Sequence, residues 1–150
     1  MVIRPLALLI HPDAISRDIL VSHLGELRWI TAASHGDVPA RFDEAPALLL
    51  GDADHVPELD EVSGRLRIML PALRSVAMAD ERRAHALANV DTVLVKPVDL
   101  DRLRKALLRE ARLWARGSGT RLAARAEPEE PGEEASDHDP DDVVTRRVRY

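Results

Sequence analysis

The chain has 150 residues, a formal net charge of −5 at pH 7, 45% hydrophobic and 3% aromatic residues, and no cysteine. This length suits one domain with residues to spare, and the lack of cysteine excludes disulfides, zinc ribbons and thiol chemistry. The few aromatics (Trp29, Phe42, Trp114, Tyr150) argue against base-stacking nucleic-acid modules, and no apolar run approaches the ~18–20 residues of a membrane span, so a cytoplasmic protein without membrane contact is expected, the start MVIRPLALLI being too short for a signal peptide.

Leu6–Ile10 is a continuous apolar run, as in a strand covered on both faces. His11-Pro12-Asp13 breaks it, and Asp13 is placed to cap a helix over Ala14–Leu24, which Gly25 can end. Arg28–Ala33 reads as an edge-like strand, followed by a turn cluster at Ser34–Asp37 and a short helix from Pro39 to Glu44. Ala47–Leu50 is another buried strand and runs into Gly51-Asp52-Ala53-Asp54-His55. The pattern then predicts a poor helix over Pro57–Glu61 broken by Gly64, a fourth strand over Leu66–Leu70 stopped by Pro71, and an alanine-rich helix over Ser75–Ala88.

Val90–Val95 is the fifth strand. Pro97 removes a donor and fixes its own φ, so Lys96 sits at the carboxyl end of that strand, the edge of an open α/β sheet where ligands collect. Asp99 caps a last helix over Leu100–Arg116. That helix carries an apolar stripe (Leu100, Leu103, Leu107, Ala111, Trp114) and a basic one (Lys105, Arg109, Arg112, Arg116). Five strands alternate with five helices, which predicts a doubly wound parallel sheet in the order 2-1-3-4-5. Residues 1–116 form this domain. Residues 117–150 form a linker or tail: Glu127–Asp142 is acidic, Pro-rich and too apolar-poor to offset ordering entropy, so disorder is expected, and the basic segment Thr145–Tyr150 ends it.

LLIHPDAISRDIL, ALLLGDAD and VLVKPVDLDRLRKAL resemble the first strand and helix, the third strand, and the last strand and helix of response-regulator receiver (CheY-like) domains, over about Arg4–Arg116. The resemblance implies a flavodoxin-like fold, a cis Lys96–Pro97 bond and a signalling module rather than an enzyme. It places Asp52 at the position that takes a phosphoryl group from a partner histidine, and Lys96 at the lysine that contacts phosphoryl oxygens. In the family a magnesium ion held by an acidic pair neutralises charge during transfer, and a Thr or Ser after the fourth strand binds the phosphoryl group. Here the acidic pair falls on His11-Pro12, which cannot supply magnesium's oxygen ligands, so no Mg2+ and no metal are expected. The Thr/Ser position falls on Pro71, which has no hydroxyl. The resemblance therefore implies a degenerate receiver, or pseudo-receiver, of a two-component phosphorelay.

Such a module would act by protein–protein contact through the last helix and fifth strand, with a histidine kinase or another two-component protein as partner. A second copy of the chain is an open alternative. Asp52 and Lys96 working as a true phosphoacceptor site is a second reading. A third is a sensor, either of cyclic dinucleotides through the Arg-rich Thr145–Tyr150 or of the antitermination type, whose helical RNA-binding domain has no counterpart after Arg116. His11, His55, Asp52 and Asp54 would suit zinc or nickel if they converged, but their spacing matches no established metal motif.

Overall fold

A computed structural model of the chain describes residues 4–118 and 146–147. The strands are β1 (Leu6–Ile10), β2 (Arg28–Ala32), β3 (Leu48–Asp52), β4 (Arg74–Ala79) and β5 (Thr92–Val95), all parallel and in the order 2-1-3-4-5. The helices are α1 (Ala14–His23), α2 (Leu59–Met69), α3 (Glu81–Ala84) and α4 (Leu100–Ser118). Successive side chains of a strand point to opposite faces, and both faces are covered. Leu8, Ile10 and Leu49 pack with Leu59, Val62 and Leu66 of α2. Ala7, Leu9, Leu48 and Leu50 pack with Leu20 and Leu24 on one side and Leu103 and Leu107 of α4 on the other. The expected apolar stripe of the last helix is thus its buried face.

Asp13 caps α1, its carboxylate accepting the Ser16 N–H at 3.0 Å, and Asp99 caps α4, accepting the Arg102 N–H at 2.8 Å. The Lys96–Pro97 bond is cis.

Three expected elements are different in the structure. A 3-10 turn at His35–Asp37 stands where a helix over Pro39–Glu44 was expected. Leu66–Leu70, expected as a strand, belongs mostly to α2, and Gly64 lies inside that helix rather than ending it. The helix crosses close to Asn89: a Cβ on Gly64 would come within 3.1 Å of the Asn89 side chain, while the neighbouring Ser63 hydroxyl donates to the Asn89 carbonyl at 2.8 Å. Glycine permits this close approach, at a cost in helix propensity of about 1 kcal/mol. Ser75–Ala88, expected as a helix, is mostly the central strand β4 and the single-turn α3. Burial between β3 and β5 overrides alanine's helical preference.

The acidic stretch Glu127–Asp142, expected to be disordered, lies outside the described residues; of the expected tail 117–150, Gly117 and Ser118 extend α4, and two further residues are described, Arg146–Arg147. These form β6, a short antiparallel edge strand on Thr92–Val93 that sequence patterning did not anticipate.

Gly51 brings β3 against α2. A Cβ at this position would stand 2.7 Å from Leu59 Cδ1 and 2.8 Å from Cδ2, and Leu59 is fully buried. Gly51→Ala is therefore expected to destabilise the fold by about 1–3 kcal/mol through overpacking. A urea unfolding midpoint equal to that of the wild type would contradict this.

Candidate functional site

The carboxyl ends of β1, β3, β4 and β5 converge on one edge of the sheet. Asp52 is the last residue of β3 and only 6% exposed. Its Oδ1 accepts the Asp54 backbone N–H at 3.0 Å and Lys96 Nζ at 3.0 Å. Its Oδ2 lies 2.8 Å from Lys96 Nζ and 3.2 Å from His55 Nδ1. Burial alone would raise the Asp52 pKa, but the hydrogen bond and charge of Lys96 outweigh it and hold the carboxyl below its usual value. The lysine also contacts Asp54 Oδ2 at 3.0 Å. Its own desolvation is outweighed by the two carboxylates, and its pKa is raised. Sequence reading paired Lys96 with Asp52, and the structure brings the two together.

Asp54, grouped with Asp52 in the sequence only as a candidate metal ligand, is central to the Lys96 ion-pair cluster. It accepts the Asp80 N–H at 3.0 Å and lies 3.6 Å from Arg83 Nε, tying β3 to the start of α3. Asp80 in turn caps α3 by accepting the Arg83 N–H at 2.8 Å.

His11 and Pro12 do stand at the end of β1. His11 is 5% exposed. Its backbone N–H continues the β1–β2 ladder to the Ala32 carbonyl, its carbonyl accepts from Arg17 Nη1 at 2.7 Å, and its Nδ1 accepts the Asp13 N–H at 3.0 Å. Burial lowers its pKa more than nearby Asp52 raises it, so the ring is held neutral. Asp13, one residue beyond the expected acidic pair, is committed to α1: its Oδ2 accepts both the N–H and the hydroxyl of Ser16. Magnesium requires near-octahedral oxygen coordination. An imidazole, a proline ring and a capping carboxylate do not provide it, so the residues at this edge do not fit that ion.

Pro71 is not at this edge. Because β4 begins at Arg74, Pro71 lies at the opposite, amino end of the sheet, in a cleft lined also by Arg67, Arg74, Asp91 and Trp114. The misplacement follows from reading Leu66–Leu70 as the fourth strand. The residues that end β4 beside the site are Ala79, whose carbonyl accepts the Lys96 N–H at 2.9 Å, and Asp80. Neither side chain carries a hydroxyl, and the placement of the Thr/Ser position on Pro71 is corrected.

The basic residues of α4 fall on one helix. Lys105 is exposed and lies 3.7 Å from Asp101 one turn back; Arg109, Arg112 and Arg116 follow on the same helix. Beneath them is a buried residue that sequence reading passed over. Glu110, 2% exposed, accepts from Arg74 Nε at 2.7 Å and from the Thr92 hydroxyl at 2.7 Å, joining α4 to β4 and β5. Its position three residues after Leu107, on the apolar stripe, was the available signal. The basic segment weighed for anion binding, Thr145–Tyr150, lies outside the described residues apart from the backbone of β6.

Among the described residues no helix is long and apolar enough to cross a membrane. No protein-family profile and no curated protein matches the chain. Solved structures do. A protein described as an adenylate cyclase from Rhodopirellula baltica superposes with a TM-score of 0.71 at 15% identity, covering 83% of this chain and 100% of that one. A CheY-like response regulator receiver domain from Methanospirillum hungatei gives 0.67 at 16% identity, covering 77% and 99%. A response regulator receiver protein from Pseudomonas putida gives 0.59 at 23% identity, covering 73% and 99%. At these identities the match is one of fold.

Proposed function

We propose that this chain, whose fold is that of response-regulator receiver (CheY-like) domains, is a cytoplasmic two-component signalling module rather than an enzyme, with a degenerate phosphoryl-transfer site, acting by protein–protein contact. The observation that carries the reading is the closed state of Asp52. Both its oxygens are taken by Lys96, Asp54 N–H and His55. In-line phosphoryl transfer needs an available nucleophile oxygen and neutralisation of several phosphoryl charges. Lys96 can serve the second need, but it is already held between Asp52 and Asp54. Among the described residues, His11-Pro12 rather than an acidic pair follows β1, and Ala79-Asp80 at the end of β4 carry no hydroxyl. Loss of metal-assisted charge stabilisation costs several kcal/mol in the transition state.

Contact then falls to the outer face of α4, with Lys105, Arg109, Arg112 and Arg116 meeting an acidic surface on a histidine kinase or another two-component protein. The outer edge of β5 is paired by β6, which favours the helix over the strand edge as the surface for partners. The unit that does this is residues 1–116, with 117–150 as its tail. Incubation with acetyl phosphate and magnesium, read by intact mass, is expected to leave the protein unmodified. A stable phosphoryl adduct that vanishes in Asp52→Asn would overturn the degenerate reading in favour of a working phosphoacceptor.

A further inference from the structure

The side chains that replace the acidic pair have donor chemistry of their own. One ligand atom from each of His11, Asp52 and His55 lies within 4.8 Å of the others, the single group of three such side chains found among the described residues. The two imidazole rings stand 5.1 Å apart between centroids. We propose that His11, Asp52 and His55 form a binding site for a divalent late first-row transition-metal ion, with zinc as the representative. The site goes beyond the signalling reading and does not depend on it.

The donor set selects the ion. Two imidazoles and one carboxylate suit zinc, nickel or copper, whereas magnesium and calcium take oxygen ligands. The spacing is already close. Tetrahedral zinc with bonds of about 2.0–2.1 Å separates its ligand atoms by roughly 3.3 Å. His55 Nδ1 and Asp52 Oδ2 are 3.2 Å apart. Bringing in the third ligand needs movement of the half-exposed His55 ring towards the buried His11 and Asp52.

Two existing contacts change. A neutral imidazole has one lone-pair nitrogen, and in His11 that lone pair accepts the Asp13 N–H. The ion takes it over, and the Asp13 N–H turns to solvent at the exposed start of α1. Lys96 competes for Asp52: the ion displaces it from Oδ2, where it now stands at 2.8 Å, and Lys96 keeps Oδ1 and Asp54. Three protein ligands at a solvent-facing edge leave a fourth position open, as in exchangeable rather than structural zinc sites.

The test uses the full chain freed of metal with a chelator. Zinc chloride is titrated against a chromophoric competitor, and cobalt chloride is followed by its visible absorption. The expected result is one equivalent of tight zinc, undisplaced by millimolar magnesium, with a tetrahedral cobalt spectrum. His11→Gln, His55→Gln and Asp52→Asn are each expected to weaken binding tenfold or more, given that even outer-sphere changes cost about 10–100-fold. Because His55 is half-exposed, His55→Gln keeps the test decisive if His11→Gln fails to fold. Lys96→Met removes a competing cation and is expected to tighten binding, a response that a site elsewhere would not show. No zinc bound, affinity unchanged in His55→Gln, or loss of binding only when His23, His35, His85 or His138 is replaced would overturn the proposal.

Discussion

Glu110→Ala is expected to lower the unfolding free energy by about 3 kcal/mol, a large share of the ~5–15 kcal/mol that separates a domain of this size from its unfolded state. The carboxylate is buried and both oxygens are used, one by Arg74 and one by the Thr92 hydroxyl. Truncation removes both bonds, leaves a buried hydroxyl without its acceptor and opens a void between α4 and the sheet. Arg74 is about a third exposed and retains Asp91 at 3.9 Å, which places the expected cost at the low end of the ~3–5 kcal/mol found for broken buried pairs. Glu110→Gln keeps the shape and an acceptor for Thr92, so a smaller loss of about 1–2 kcal/mol is expected. The double replacement Glu110→Leu with Arg74→Met is expected to recover most of the loss, because removing both charges also removes their desolvation cost. Urea denaturation of the wild type and the three variants measures these differences. A cost below about 1 kcal/mol for Glu110→Ala would show that the network is a surface pair of little worth.

Glu110 also shows where sequence patterning loses resolution. A lone acid in a helix rich in arginine reads as part of a solvated face, and only its register with Leu103 and Leu107 marks it as buried. The strand order was legible because it depends on the alternation of buried runs with helical stretches, and that alternation survives errors in placing one run. Leu6–Ile10 and Leu48–Leu50 are apolar throughout and, bounded by turn residues, read as covered strands. The segment Arg65–Ala84 defeated the same logic. Arg65-Leu66-Arg67-Ile68 alternates like a strand yet is helical, because Leu59, Val62 and Leu66 fall on one helix face against the sheet. Arg74–Ala79 has little side-chain bulk to announce a strand, yet it is an interior strand between β3 and β5. At the site, Lys96 was legible because Pro97 marks the end of β5, and Asp52 through the resemblance of ALLLGDAD to the third strand of receiver domains. Asp54 was not, since its role depends on Asp80 and Arg83, which only the correct placement of β4 brings beside it.

Lys96→Met is expected to cost about 2 kcal/mol at neutral pH, and the dependence of that cost on pH distinguishes charge from packing. In the wild type the folded Asp52 pKa lies below the unfolded value of 3.8. The unfolded chain therefore takes the proton first as pH falls, and the pair's contribution is fully present above about 3.8 and lost as pH drops through the folded value. Lys96 has a folded pKa above 10.5, so its share is present below that value and is lost as pH rises through the folded one. At neutral pH, well inside both limits, the full effect of the substitution is seen. It is smaller than the ~3–5 kcal/mol for a wholly buried pair because the Lys96 side chain is 32% exposed and His55 remains beside Asp52. Without the lysine, burial is the largest influence left on Asp52 and pushes its pKa upward. The sign of the linkage then reverses: the folded variant takes up the proton first, and falling pH stabilises it relative to its own unfolded state. The difference between wild type and Lys96→Met should therefore be greatest at neutral pH and shrink towards pH 4, in urea melts run with a chelator present. Asp52→Asn in the Lys96→Met background should abolish that pH dependence and restore part of the stability, because it removes the uncompensated buried charge. A difference that stays constant from pH 7 to pH 4 would mean that Lys96 contributes through its methylene stem alone, and that the closed ion pair does not hold the Asp52 carboxylate in place.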